Sequence, residues 1–158
     1  PSATYFNKRW KAEGFITTAK YLVENKNAFV VVHGGPEDVS LCNAIVEATG
    51  KQCVNMAGML SLSGSAALLN KAALVIANDS GLLHMAQSQK VHVVGIYGAT
   101  TRELGYFPID IKSTVVETHV ACRPCTHNGL NHCPKKHFRC MNDITPDMVI
   151  NAALQYLT

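Results

Sequence analysis

The sequence predicts an α/β fold in which a mostly parallel sheet carries helices on both of its faces. Short apolar runs typical of buried strands alternate along the chain with segments of helical spacing, which is the pattern of successive βαβ units. Only 16% of the residues are charged, and such a low fraction suits strands buried on both faces. The length of 158 residues and the apolar content of 47% predict one domain, over residues 1–158, with a core of ordinary size.

The first half of the chain predicts three helices and two strands. Apolar residues recur at helical spacing from Phe15 to Val23. A Gly34-Gly35-Pro36 turn opens a second helix that ends at Gly50, because proline suits the first turn of a helix and glycine its end. The remaining predicted elements of this half are strands over 28–33 and 52–56 and a helix over 62–71.

The second half continues the alternation and closes on a helix. Thr145 and Pro146 open that helix as its N-cap and first helical residue. Ile144 and Val149 are placed for a hydrophobic staple across its start. The other predicted elements are a central strand over 73–77, a helix over 82–88 and strands over 91–97 and 112–118.

Charge and hydropathy argue against two classes of partner. A net charge of +3 is too small to indicate nucleic acid binding, and no basic stripe carries interleaved aromatic residues. No apolar run is as long as a membrane span and no signal peptide opens the chain, so the expected location is cytoplasmic. The chain starts at Pro1 in mid-pattern, and we therefore expect it to be a fragment of a longer protein.

The most informative segment is Asn78-Asp79-Ser80-Gly81-Leu82-Leu83-His84. It joins an apolar strand to a helix and so places polar groups at the carboxyl end of a sheet, where open α/β folds bind ligands. Gly81 lets the backbone approach a ligand closely, and the first N–H groups of the helix attract an anion. Because a carboxylate repels phosphate, Asp79 suits hydroxyl groups such as those of a sugar. Simple capping of the helix by Asp79 or Ser80 is the alternative, and His84 on the same face favours a site.

Further motifs occur in a characteristic order. They are Lys8-Arg9-Trp10, Gly34-Gly35-Pro36-Glu37, Asp79-Ser80-Gly81 with His84, and Tyr97-Gly98-Ala99-Thr100, followed by a tail with Cys122, Cys125, Cys140 and Met141. This ordered set resembles the C-terminal domain of glycosyltransferase family 9, the lipopolysaccharide heptosyltransferases, over nearly the whole chain.

The resemblance implies the C-terminal half of a GT-B glycosyltransferase, an architecture of two Rossmann-like domains that face a cleft. This half would bind a nucleotide-diphospho-sugar donor, ADP-heptose by the resemblance, for transfer of heptose to the lipopolysaccharide inner core. The missing N-terminal domain would hold the acceptor and an acidic catalytic base, and would make any peripheral contact with the cytoplasmic face of the bacterial inner membrane. The isolated fragment is then expected to be inactive.

The resemblance also implies the residues of the donor site. Lys8 is the catalytic candidate, because its ammonium would neutralise the donor diphosphate as the bond to the sugar breaks. Asp79 would bind hydroxyls of the donor sugar, and Glu37 those of the nucleotide ribose. The other candidates are Thr4 near the phosphates, Leu60 at the adenine, Ser80 and Gly81 through backbone N–H groups to the diphosphate, and His84 at a phosphate oxygen.

Each of these residues also has a structural interpretation. Lys8 could be a solvated surface lysine, Glu37 an acid favoured by a helix N-terminus, Leu60 a core residue and His84 a side chain packed beneath the loop. Trp10 is interpreted as a packing residue. The family often has Gly-Pro-Thr-x-Pro where this chain has Gly98-Ala99-Thr100-Thr101-Arg102, a departure that we interpret as shaping the loop rather than the chemistry.

No cofactor or catalytic metal is expected, since Lys8 and the helix N-terminus supply positive charge and the chain lacks an Asp-x-Asp pair. A structural zinc site stays open at Cys122, Cys125, Cys133 and Cys140. The presence of only one C-x2-C pair favours instead a structural or incidental cluster of cysteines without zinc. Cys42 and Cys53 are predicted to be small core residues. Two other functions also stay open: a GT-B transferase with another NDP-sugar donor, and a non-catalytic module whose cysteine-rich tail contacts a protein or nucleic acid.

Overall fold

A computed structural model describes residues 1–108 and 112–157, and within these residues strands and helices alternate as the sequence predicts. The strands are β1 (Val30–Val32), β2 (Cys53–Asn55), β3 (Leu74–Asn78), β4 (His92–Tyr97) and β5 (Ser113–Glu117). The helices are α1 (Ala12–Lys26), α2 (Val39–Thr49), α3 (Leu62–Asn70), α4 (Gly81–Ser88), α5 (Arg139–Asn142) and α6 (Pro146–Leu154). The short helix α5 is an element that the sequence pattern does not predict. In the described part of the chain, no helix is long and apolar enough to cross a membrane.

The strands form two parallel sheets where the sequence predicts one. β1 pairs with β2, and β4 pairs with β3 on one side and β5 on the other. The prediction that residues 73–77 form the central strand is therefore wrong for the larger sheet, whose centre is β4. An apolar run shows that a strand is buried but not which neighbours it pairs with. A cavity of about 500 Å³, lined by residues of both β1 and β3, has Pro1 and Ser2 at its wall.

Helices cover both faces of the β3–β4–β5 sheet, as predicted, because β4 presents alternate side chains to two cores. Val94 and Ile96 belong to the core that contains Trp10 and residues of α6. Val93 and Tyr97 point the other way, into the core that contains residues of α3 and α4. A third core joins α2 to β1 and β2, and the burial of Cys42 and Cys53 within it confirms their predicted role.

The predicted start of α6 is confirmed in detail. The hydroxyl of Thr145 accepts a hydrogen bond from the backbone N–H of Met148 at 3.4 Å, and Pro146 is the first helical residue. Ile144 and Val149 are fully buried in one core, as a hydrophobic staple requires. Trp10 donates its indole N–H to the carbonyl of Ile144 at 3.0 Å. Trp10 is thus a packing residue, as predicted, and it fixes the N-terminal segment to the start of α6.

Candidate functional site

A small pocket of about 220 Å³ opens at the carboxyl end of β3, where α4 begins. This is the edge of a parallel sheet at which open α/β folds bind ligands. Six of the eight candidate residues line it, together with three residues that the sequence did not single out. The lining residues are Thr4, Tyr5, Lys8, Asp79, Ser80, Gly81, His84, Tyr106 and Asn128.

A buried ion pair lies at the base of this pocket. Lys8 Nζ is 2.7 Å from Asp79 Oδ2, and the two side chains are 9% and 2% exposed. The hydroxyl of Thr100 donates to the same Asp79 oxygen at 2.8 Å. Lys8 Nζ also lies 4.8 Å from the centroid of the Tyr106 ring, a cation–π distance. The alternative of a solvated surface lysine is therefore wrong: Lys8 is held between a carboxylate and an aromatic face.

Two sets of contacts bring Lys8 to the end of β3 although the residues are far apart in the chain. The side-chain oxygen of Asn78, the last residue of β3, accepts a hydrogen bond from the backbone N–H of Trp10 at 3.1 Å. Asn7 exchanges hydrogen bonds with Leu130: its N–H donates to the Leu130 carbonyl at 3.1 Å, and its side-chain oxygen accepts from the Leu130 N–H at 2.8 Å. The segment that carries Lys8 is thus held between β3 and the loop over residues 118–138, which joins β5 to α5 and is called here the cysteine-rich loop because it contains Cys122, Cys125 and Cys133.

The start of α4 is not capped by the side chain of Ser80 or Asp79. Ser80 occupies the N-cap position, but its side chain makes no capping hydrogen bond. The carboxylate of Asp79 is turned instead toward Lys8 and Thr100. The interpretation that Asp79 or Ser80 simply caps the helix is therefore wrong. The first N–H groups of α4 carry the partial positive charge of the helix dipole at the pocket wall.

His84 reaches the pocket from the first turn of α4. Its side chain is 44% exposed, and its Nε2 atom lies 3.9 Å from Asp79 Oδ1. Its Nδ1 atom lies 3.0 Å from Gln87 Oε1, so one ring nitrogen is oriented by the helix. This placement excludes the alternative that His84 packs beneath the loop.

Glu37 and Leu60 do not line this pocket. Glu37 is exposed in the 3-10 turn after β1, and Leu60 is half-buried in the loop after β2. Because β1 and β2 are parallel, both residues follow the carboxyl end of a strand of the same sheet. The backbone N–H of Gly35 donates a hydrogen bond to Oδ2 of Asp38 at 3.0 Å, so Asp38 and not Glu37 is the acid that caps this turn. The structure therefore leaves the Glu37 carboxylate at the surface, and the predicted roles of Glu37 and Leu60 stay predictions.

Sequence reasoning missed Tyr106 and Asn128. The Tyr106 hydroxyl donates to the side-chain oxygen of Asn128 and lies 3.3 Å from Nδ1 of His127. These contacts join the loop after β4 to the cysteine-rich loop across the mouth of the pocket. No spacing in the sequence signals this pairing, because both residues lie in irregular loops. The only sequence signal for Tyr106 was its place beside Gly105 in the loop after the strand predicted over 91–97, where a ligand site is expected.

The cysteine-rich loop contains free thiols with hydrogen-bonding neighbours. Cys122 Sγ lies 3.8 Å from His137 Nε2, and Cys133 Sγ accepts from the backbone N–H of Phe138 at 3.4 Å. Burial raises the pKa of Cys125, and it raises the pKa of Cys140 to about 11. Across residues 1–108 and 112–157, no group of three or more His, Cys, Asp or Glu side chains is arranged to hold a metal ion.

The fold and the pocket define a parallel α/β domain with a buried lysine and a helix N-terminus at the carboxyl edge of its sheet. A family model of glycosyltransferase family 9 (heptosyltransferase) matches residues 1–136, and the chain belongs to this family.

A curated relative agrees with this assignment. The chain is 29% identical over 161 residues to lipooligosaccharide heptosyltransferase 2 of Campylobacter jejuni. The alignment covers 99% of this chain and 49% of the relative. The chain thus spans about half the length of the curated relatives it matches.

Two solved structures share the fold. One is the E. coli ADP-heptose lipopolysaccharide heptosyltransferase II, with a TM-score of 0.80, 25% identity and coverage of 99% of this chain and 44% of that one. The other is a family 9 glycosyl transferase from Veillonella parvula, with a TM-score of 0.81, 28% identity and the same coverage. These likenesses confirm the predicted fold class, the C-terminal half of a GT-B glycosyltransferase.

Proposed function

We propose that this chain is the donor-binding half of a heptosyltransferase that uses ADP-heptose and transfers heptose to the lipopolysaccharide inner core. The observation that carries the proposal is the buried Lys8–Asp79 pair beside the start of α4, at the carboxyl edge of the sheet. Membership of the heptosyltransferase family supports the reaction class. The similarity to a structure described as an ADP-heptose heptosyltransferase supports the donor.

In this proposal Lys8 binds the donor diphosphate and stabilises its charge as the bond to the sugar breaks. An ammonium has three N–H donors, and one of them is directed at Asp79, so two remain for phosphate oxygens. The ion pair also explains why a carboxylate tolerates a phosphate nearby, because Lys8 neutralises Asp79. The N–H groups of Ser80 and Gly81, the hydroxyl of Thr4 and the ring of His84 are the further phosphate contacts.

The nucleoside would extend from this pocket along the carboxyl edge toward the loops after β1 and β2. Glu37, exposed in the first of these loops, would accept hydrogen bonds from the ribose hydroxyls. Leu60, in the second, would pack on the adenine. The backbone N–H of Gly58 donates to the carbonyl of Gly34 at 3.0 Å, which holds the two loops together.

The rest of the reaction belongs to the other half of a GT-B enzyme. That half would bind the lipopolysaccharide core acceptor, supply the base that activates its hydroxyl and contact the inner membrane from the cytoplasmic side. A cytoplasmic location also suits a chain whose six cysteines are all free. This chain alone is therefore expected to bind donor without turning it over.

Amide NMR titrations with ADP, UDP and GDP test the donor assignment. We expect ADP to bind most tightly, with a Kd of about 0.1–1 mM because half of the cleft is contributed elsewhere, and to shift the amides of Gly81 and His84. Tighter binding of UDP or GDP than of ADP would indicate that the donor is another NDP-sugar and not ADP-heptose. Unchanged spectra with all three nucleotides would contradict the proposal and favour a non-catalytic module.

A further inference from the structure

Thr100 is a buried polar residue beside the Lys8–Asp79 ion pair. It is fully buried near the start of the loop that follows β4. Its hydroxyl donates to Asp79 Oδ2 at 2.8 Å, and Lys8 Nζ contacts the same oxygen at 2.7 Å. A carboxylate oxygen has two lone pairs, so these two donors fill the hydrogen-bonding capacity of Oδ2. Asp79 Oδ1 faces His84 across 3.9 Å, beyond hydrogen-bond distance.

We propose that Thr100 is a positioning residue that divides the two oxygens of Asp79 between two tasks. The ion pair with Lys8 itself holds Oδ2, and the Thr100 hydroxyl fixes the rotation of the carboxylate about that contact so that Oδ1 is presented to a hydroxyl of the donor sugar. One carboxylate thereby orients the lysine that binds the diphosphate and also contacts the sugar. This inference rests on the proposed function and on the donor-sugar contact already expected of Asp79, and what it adds is the role of Thr100.

The backbone of Thr100 is fixed from the opposite side by Arg123 of the cysteine-rich loop. Arg123 Nη2 donates to the carbonyl of Thr100 at 2.8 Å and to Glu117 Oε2 at 2.6 Å. Arg123 Nη1 donates to the carbonyl of Thr118 at 2.6 Å, and the arginine side chain is only 6% exposed. A guanidinium with several directed N–H groups is a rigid clamp. The cysteine-rich loop therefore supports the position from which Thr100 reaches Asp79.

The loop after β4 belongs to this support. The interpretation that its departures from the family pattern shape the loop rather than the chemistry concerns Ala99 and Arg102, which stand in place of prolines, and it stays a prediction. Thr100 lies between them and is hydrogen-bonded to the central carboxylate of the site. Ala99, the neighbouring residue, is also fully buried, and its carbonyl accepts from the backbone N–H of Cys125 at 3.3 Å. The loop is thus held as a unit against the pocket.

Calorimetric titrations of this chain with ADP and with ADP-heptose test the proposal. Thr100→Val preserves the shape of the side chain but removes the donor. We expect it to weaken ADP-heptose binding about 10- to 100-fold, the usual effect of losing a hydrogen bond to a charged group, while ADP affinity stays within about 3-fold. Thr100→Ser keeps the hydroxyl and should restore ADP-heptose affinity. Thr18→Val, at a buried threonine of α1, is the matched control and should bind both ligands normally.

Circular dichroism checks that each variant is folded. If Thr100→Val does not fold, Thr100→Ala also removes the hydroxyl and allows the same comparison of ADP and ADP-heptose affinities. Equal losses of ADP and ADP-heptose affinity, or no loss of either, would overturn the assignment of Thr100. Failure of the unsubstituted chain to bind either ligand would overturn the proposed function itself, and the role of Thr100 with it.

Discussion

Asp79 is the residue at which the charges of the site are balanced. Its carboxylate is almost fully buried and contacts Lys8 and Thr100 through one oxygen. A buried ion pair contributes little net stability, but removal of one partner leaves the other charge without compensation. The intact pair therefore has little effect on the free energy of unfolding. A substitution of only one of the two residues should lower that free energy strongly.

Asp79→Asn should lower the free energy of unfolding by about 3–5 kcal/mol, because it leaves the Lys8 ammonium buried without an anion. The double variant Lys8→Met/Asp79→Asn removes both charges and should recover most of that loss. Urea unfolding followed by circular dichroism measures both. A double variant that is less stable than Asp79→Asn would show that the two residues do not act as a pair.

Cys140 predicts a pH dependence of stability. Burial, reinforced by the nearby thiols and opposed by Arg123, raises the pKa of this thiol from 9.0 to about 11. The unfolded chain therefore loses the thiol proton at a lower pH than the folded chain. Stability that is fully present below about pH 9 should fall as the pH rises toward about 11. Cys140→Ala should make the decline of the unfolding free energy over this range shallower, and parallel curves for the two proteins would contradict the assignment.

At the scale of elements, the sequence predicted most of the local structure. The strands, α1 to α4 and the cap of α6 depend on periodicity and on cap residues that act over a few positions. The pairing of the strands was not predictable in the same way. β4 became the centre of the larger sheet because of contacts between distant segments, and α5 is a single turn with no periodic pattern to reveal it.

Thr145→Ala tests the best-defined of these local signals. Loss of the hydroxyl leaves the backbone N–H of Met148 without its cap, and we expect the free energy of unfolding to fall by about 0.5–2 kcal/mol. Thr17→Ala, at an exposed position inside α1, is the matched control and should be nearly neutral. Thermal or urea unfolding measures the change in the free energy of unfolding for each variant. Equal changes for Thr145→Ala and Thr17→Ala would rule out a capping role of Thr145.

At the scale of the whole molecule, the site is assembled from segments that are separated in the chain. Asp79, Ser80, Gly81 and His84 were predictable because strand, turn and helix signals coincide in one stretch. Their partners were not, since Lys8, Thr100 and Tyr106 reach them only through the packing of distant loops. The resemblance to a family supplied Lys8 as a candidate, but only the structure shows that it is buried and paired.

The expectation that the site needs no catalytic metal gives a separate prediction. ADP binding by the chain should be unchanged by EDTA, because Lys8 and the start of α4 supply the positive charge. Circular dichroism is recorded in parallel, since loss of a structural zinc would unfold the cysteine-rich loop and imitate a catalytic requirement. Restoration of binding by magnesium or manganese in a still-folded chain would contradict the prediction. Recovery of both folding and binding with zinc alone would establish a structural site at Cys122, Cys125, Cys133 and Cys140.

The most direct test of the account is whether ADP binding depends on Lys8. Calorimetry should compare the unsubstituted chain with Lys8→Met/Asp79→Asn, which removes the site lysine without leaving an unpaired buried charge. Lys20→Met, at an exposed position on α1, is the control for loss of one surface cation. We predict an ADP Kd of about 0.1–1 mM for the unsubstituted chain and for Lys20→Met, and binding at least about tenfold weaker for the double variant. Equal ADP affinity in all three proteins would contradict a donor site at Lys8.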